Sequence, residues 1–343
     1  MALRACFNSA ALKLATTAYF KARLEIGSGG KFRGGAKRPQ LSSIDLTADC
    51  WIRSFAMSAG SIDLHTHTTY SDGSDTPEEL VIKAANGGAA AIAITDHDTV
   101  AGLSEGRAAA MRLGIEFVDG VEISAEYSPG TMHILGYFVD PDLIAPGLLE
   151  LKEARKKRNP QIADRLRKLG MDVSYDEVAA LAGGEMVGRP HFARLLVEKR
   201  YAESIQDAFN RFLAKGAPAY VEKRRLTPPD AINLIHNSGG VAVLAHPYQL
   251  MLGSFEEARS LTAELAQAGL DGLEAIYSRH TQEQRERYQE IARGCGLLIT
   301  GGSDYHGTYK PDLSVLTGKG DLAVPYSLLY EIRERARSFE QRS

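Results

Sequence analysis

The chain has 343 residues, 44% of them hydrophobic and 24% charged, and a formal net charge of −3. That is a soluble globular composition, long enough for one large domain with an insertion or for two smaller domains, and it supplies no global charge for coating nucleic acid or a membrane. Cys6, Cys50 and Cys295 are scattered without CxxC spacing, which points to a reducing, cytoplasmic setting rather than a disulfide framework, and no apolar run reaches the roughly 18 residues of a spanning helix.

Residues 1–40 carry eight Lys or Arg against the single acid Glu25. Basic, acid-poor leaders resemble organellar transit peptides, but the simpler expectation for 1–58 is a poorly ordered extension, with Met57 as a natural start. From Ser61 the pattern changes. Ile62 and Leu64 alternate with polar neighbours as a strand does, and His65 and His67, two apart, share a face. Tyr70-Ser71-Asp72-Gly73 turns the chain, and Thr76-Pro77-Glu78-Glu79 opens a helix with an N-cap, a first-turn proline and a capping-box glutamate.

Similar units follow. Ala90–Ile94 is an apolar strand ending in Thr95-Asp96-His97-Asp98, and a helix to Leu113 stops at Gly114. Glu116–Ile123 carries Glu122, and Met132–Val139 carries His133. Val241–Ala245 ends in His246, Gly272–Ile276 follows a helix, and Leu297–Thr300 leads to Gly301-Gly302-Ser303-Asp304-Tyr305-His306. Apolar strands alternating with amphipathic helices predict a parallel sheet closed as a barrel, with its chemistry at the C-terminal strand ends. Between Leu148 and Gly216 only helical periods remain, among them Ile162, Leu166 and Leu169, a capping box at Ser174–Glu177, and Phe192, Leu195 and Leu196. The expected organisation is a barrel over 59–148 and 217–320, a helical cap over 149–216 and a C-terminal helix over 321–343.

Nine strand-end residues stand out: His65, His67, Asp72, His97, Glu122, His133, His246, Asp304 and His306. One such histidine would ordinarily be structural, but six converging with three carboxylates would repel and titrate unless cations held them. Mixed N/O donors without thiolate suit Mn, Fe or Zn, and nine ligands exceed what one ion accepts. Two or three divalent ions are therefore expected. Of the weaker candidates, Asp96 or Asp98 could orient an imidazole, Ser124 and Tyr127 could touch substrate, His236 reads as a helix C-terminal cation, and His280 reads as surface.

In combination, HxH after the first strand, the YSDG turn, TDHD, the Glu122 strand and GSDYH resemble the PHP (polymerase and histidinol phosphatase) superfamily. Gly188-Arg189-Pro190-His191 within the helical stretch resembles its branch of nucleoside 3′,5′-bisphosphate phosphatases and 5′→3′ exoribonucleases. The resemblance implies an α/β fold, a distorted (β/α)7 TIM-like barrel with a small all-helical insertion. It also implies a trinuclear site: one ion on His65, His67, Glu122 and Asp304, a second on Glu122, His133 and His246, and a third on Asp72, His97 and His306. Manganese is the expected metal. Activity would be hydrolysis of the 3′-phosphate by metal-activated hydroxide, extending to trimming of short 5′-phosphorylated RNA. Arg189 and His191 are the expected catalytic donors, and Arg158 and Asn159 the expected contacts to a second phosphate. A solvated helix face is an equally good reading of the basic run 152–158. The alternatives are a histidinol-phosphate-type monoesterase and a non-catalytic metal-binding module. No membrane and no obligate protein partner is implied.

Overall fold

The computed structural model describes residues 60–182 and 187–341. The expected extension over 1–58 and the glycine pair Gly183-Gly184 lie outside them. Eight strands form one sheet: β1 (Ser61–Asp63), β2 (Ala91–Ile94), β3 (Glu116–Ala125), β4 (Met132–Tyr137), β5 (Val241–Leu244), β6 (Gly272–Tyr277), β7 (Leu298–Gly302) and β8 (Val324–Pro325), in the order β7-β6-β5-β4-β3-β2-β1-β8. Beyond β1 the chain runs on to pair with the segment after β7, through Asp304 N–H to His65 O at 2.8 Å and His67 N–H to Tyr305 O at 2.9 Å. These bonds close the sheet into a distorted barrel.

The sheet is mixed, not all-parallel. β4 runs antiparallel to both β3 and β5, and β8 antiparallel to β1. The link from β3 to β4 is too short for a crossover helix, so the chain can only fold back as a hairpin. His133 therefore lies near the start of its strand, yet at the same end of the barrel as Glu122 and Ser124, with Ser124 its direct cross-strand partner.

Local signals account for the surrounding helices. In α1 (Pro77–Asn86) the Thr76 hydroxyl accepts from Glu79 N–H while the Glu79 carboxylate accepts from Thr76 N–H. α2 (Leu103–Leu113) ends at Gly114 with φ of 70°, a left-handed stop that glycine adopts at little cost. Alternate residues of each strand face different cores. Ala91, Ala93, Val241 and Val243 join Leu329, Ile332 and Ala336 of the C-terminal helix on the lumen side, whereas Ala242 and Leu244 meet Ile232 and Ile235 of the outer layer. Each such Leu, Ile or Val contributes about 1.5–3 kcal/mol by burial.

Between β4 and β5 the chain forms α3 (Pro141–Lys168), α4 (Tyr175–Ala182), α5 (Arg189–Glu198) and α6 (Ile205–Ala208), the last continuing into a π-turn over Phe209–Leu213. These helices have a core of their own around Phe192, Leu196, Val178 and Leu213. α3 passes through residue 149 without a break, and its 28 residues span about 42 Å. Ile144, Leu148 and Leu151 pack into the barrel cluster, and Ile162, Ala163 and Leu166 into the helical one. The helix thus belongs to both bodies. α7 (Pro228–Asn237), α8 (Phe255–Gln267) and α9 (Gln282–Gly294) complete the outer layer, while α10 (Tyr326–Glu340) packs on the lumen side. Among the described residues no helix is long and apolar enough to cross a membrane.

Candidate active site

Glu122 lies at the centre of the barrel mouth, fully buried. Its Oε1 is 2.8 Å from His133 Nδ1 and 2.9 Å from His246 Nε2. Its Oε2 is 2.9 Å from His97 Nδ1, 3.3 Å from His67 Nε2 and 3.5 Å from His65 Nε2. Asp304 Oδ1 faces His65 Nε2 at 3.6 Å and His67 Nε2 at 3.4 Å. Asp72 stands on the far side, 3.3 Å from His306 Nε2 and 3.7 Å from His97 Nε2. All nine strand-end residues are thus brought together. They fall into overlapping groups that could each hold an ion: His67, Asp72, His97 and His306; His65, Glu122 and His246; His65, His67 and Asp304; and His97, Glu122 and His133.

The backbone is held in costly shapes to achieve this. Asp98, His246 and Asp304 have φ of 56°, 25° and 55°, a region that non-glycine residues occupy mainly where function demands it. Gly302 permits the close approach of β7, since a Cβ there would lie 2.4 Å from that of His65.

The donor set calls for cations. His65 Nε2, His67 Nε2, His97 Nδ1 and Glu122 Oε2 are buried and face one another without a properly aligned hydrogen bond. Burial opposes ionisation of Glu122, yet His133, His97 and His65 hold its carboxyl well below the usual range. Asp72 is likewise kept ionised against burial by His97 and His306, and Asp304 by Lys310 and His306. Burial pushes His133 down to about 3, and burial with Lys310 takes His306 to about 4, so both imidazoles are held neutral. For His67 burial is outweighed by Asp304 and Glu122, which raise it to about 9. Three buried carboxylates, Glu122, Asp72 and Asp304, among six imidazoles make the mixed oxygen and nitrogen donor set that divalent ions fill.

A family model described as the PHP domain matches residues 63–269. The chain belongs to the PHP family. It is 39% identical over 249 residues to a 5′-3′ exoribonuclease of Haemophilus influenzae, covering 71% of this chain and 89% of that one. It is 36% identical over 252 residues to a 3′,5′-nucleoside bisphosphate phosphatase of Chromobacterium violaceum, covering 71% and 87%. A solved Bifidobacterium adolescentis structure, assigned as a metal-dependent phosphoesterase, superposes with a TM-score of 0.72 at 33% identity, covering 81% of this chain and 96% of that one. This PHP protein is accordingly a metal-dependent phosphoesterase, a phosphoric ester hydrolase that uses divalent metal.

The substrate-side candidates of the PHP chain separate on inspection. Arg158 and Asn159 are buried; the Arg158 guanidinium donates to Asn159 Oδ1 at 3.1 and 2.7 Å, and Asn159 donates to Val187 O at 2.8 Å. The basic run divides by helical periodicity: Arg155 and Arg158 turn inward while Lys156 and Lys157 are exposed. Arg189 lies over the rings of Phe209 and Tyr220 and donates to Leu213 O, inside the helical insertion. His191 caps its own helix, with Nδ1 accepting from Gly188 N–H at 2.9 Å, and burial lowers its pKa. Gly188 backs onto Asp72, a methyl there falling 3.6 Å from the Asp72 Cβ, so the start of α5 adjoins the ligand cluster.

Other residues take supporting places. Asp96 accepts from Thr68 N–H, the Thr68 hydroxyl and the Ser71 hydroxyl, pinning the loop that carries His67 and Asp72. Asp98 accepts from Ser124 N–H and its hydroxyl and pairs with Arg155 and Lys223. Tyr305 turns away from the cluster to Asp75 and Lys83. His236 pairs with Asp271 at 2.7 Å. His280 is not at the surface: it is buried against Ala275 O and Tyr288, and burial takes it down to about 3. Sequence reasoning passed over Glu274, Lys310 and Lys223. The first had a readable signal, an acid in the middle of an apolar strand; the other two sit in loops that carry no pattern.

Proposed function

We propose that this phosphoesterase removes the 3′-phosphate from nucleoside 3′,5′-bisphosphates and, by the same bond cleavage, shortens 5′-phosphorylated RNA from its 5′ end in the cytoplasm. The observation that carries the reading is an excess of buried cations at the seam of barrel and insertion. Buried Arg155 and Arg158 and the partly buried Lys223 gather around one buried carboxylate, Asp98, among the described residues. Burial, Arg155 and Arg189 lower the pKa of Arg158 to about 9, and burial and Arg155 take Lys223 to about 7. Buried charge without a partner is unfavourable, and an incoming anion relieves it. Lys223 donates to the Ser124 hydroxyl, two residues along β3 from Glu122, so this anion would bind within one nucleotide's reach of the ligand cluster. A substrate with two phosphates fits that arrangement better than a simple monoester.

His65, His67, Asp72, His97, Glu122, His133, His246, Asp304 and His306 would hold two or three ions, manganese by preference. When bound, such ions supply Lewis acidity and a nucleophile at neutral pH. The chain's own residues do the rest. His191, whose Nδ1 is committed to Gly188, carries its proton on Nε2 and is a neutral donor beside Asp72. Arg158, fixed by Asn159, offers its remaining donors to the 5′-phosphate. Arg189 braces this pocket from the insertion, stacked on Phe209 and Tyr220.

The test is phosphate release by the Mn²⁺-loaded protein from adenosine 3′,5′-bisphosphate, with histidinol phosphate and 5′-AMP as controls and a short 5′-phosphorylated RNA alongside. Preference for the bisphosphate, with RNA shortening from the 5′ end, is expected. Histidinol phosphate turned over as fast as the bisphosphate would overturn the reading.

A further inference from the structure

Glu274 is fully buried in the middle of β6, behind the ligand cluster rather than in it. One oxygen accepts from His65 Nδ1–H at 2.9 Å and the other from the backbone N–H of His246 at 2.8 Å. Among the described residues its one ionic partner is His65. Both groups it touches need holding. A proton fixed on Nδ1 of His65 leaves the Nε2 lone pair aimed between Glu122 and Asp304. His246, with φ of 25°, is in a conformation that costs a non-glycine residue about 1–3 kcal/mol, and its N–H is tied down where its ring must meet Glu122.

We propose that Glu274 is the positioning residue of the metal centre: a single carboxylate that sets the tautomer of His65 and locks the turn at His246, so that two ligands from opposite sides of the barrel keep their aim. This rests on the ligand assignment above. A buried carboxylate with no Lys or Arg beside it is expensive unless its hydrogen bonds are good and a positive centre lies beyond them. The carboxylate–imidazole–metal arrangement supplies that centre and raises the basicity of the ligating nitrogen.

Glu274→Gln is the informative change, because an amide has one acceptor oxygen and must turn its NH₂ toward one of the two N–H donors. Mn²⁺ affinity of the metal-free protein is measured by calorimetry for wild type, Glu274→Gln and Glu274→Asp, with far-UV circular dichroism and melting of the metal-free forms. Glu274→Gln should bind Mn²⁺ about 10–100-fold more weakly, with an unchanged metal-free fold and with phosphate release recovering at high Mn²⁺. Glu274→Asp, which keeps both acceptors on a shorter arm, should lie between the two and decides the matter if Glu274→Gln does not fold. Wild-type affinity in either folded variant overturns the role of Glu274 while leaving the ligand assignment standing. Failure of the wild-type protein to bind Mn²⁺ overturns both.

Discussion

Replacing Arg158 with methionine separates the two-phosphate reading from a merely structural role for the buried cations. Methionine keeps an unbranched apolar stem of similar reach but removes every donor. Arg158 is 5% exposed and spends its described hydrogen bonds on the adjacent Asn159, so donors remain for a phosphate. A charge-assisted hydrogen bond to a buried guanidinium is worth about 1.5–3 kcal/mol, and a two-point contact about 3–4 kcal/mol. Loss of that contact should lower kcat/KM for adenosine 3′,5′-bisphosphate by about 10²–10³-fold. Adenosine 3′-monophosphate, which lacks the second phosphate, should lose far less. The ligand-free protein should melt at about the wild-type temperature, because relief of repulsion from Arg155, Arg189 and Arg225 opposes the lost bonds to Asn159. Phosphate release against both substrates, with melting by differential scanning fluorimetry, makes the comparison. An equal loss on the two nucleotides, or a fall of more than about 5 °C in Tm without selectivity, would refute the reasoning.

Removing divalent metal should also lower stability, since Glu122, Asp72 and Asp304 would face the imidazoles without the ions that their charge attracts. At ion concentrations of a hundred times Kd each site contributes about 2.7 kcal/mol, so EDTA stripping two or three ions should lower Tm by roughly 10–15 °C; an unchanged Tm counts against binding at these residues. Lys223 gives a pH signature. With its pKa taken down to about 7 by burial and Arg155, the ammonium that attracts an anion is present below pH 7 and lost above it. KM for the bisphosphate should therefore rise between pH 7 and 9, and a Lys223→Met variant should show a higher KM without that rise; parallel profiles would exclude the lysine from the pocket.

The nine clustered residues were legible because barrel chemistry collects at one end of the strands, and strand ends can be read from where apolar runs stop. The reversal of β4 was readable only from the short link between Ala125 and Met132, because the strand itself has the same pattern in either direction. Helical period alone placed Phe192 and Leu196 in a core, and the same period applied to 155–162 would have turned Arg155, Arg158 and Ile162 to one side. Charge left a solvated face and a phosphate site equally good readings of that stretch, and only the fold shows what covers it. Glu274 was hidden for the opposite reason: its apolar neighbours drew attention to the strand, and its partners lie 209 and 28 positions away in sequence. His280 was misjudged from its polar neighbours; its ring turns inward to Ala275 O and Tyr288.

The reversal of β4 has an evolutionary corollary. Because that strand descends from the mouth, α3 begins at the opposite end of the barrel and climbs back, delivering Arg155 and Arg158 by its register alone. One residue added to the lower part of α3 would rotate them by about 100°, whereas seven would restore their direction. None of the nine clustered residues lies on that helix. Substrate choice can thus drift by small insertions and deletions in one rod while the hydrolytic centre is inherited intact, an economical route by which a single scaffold could come to serve different phosphoesters.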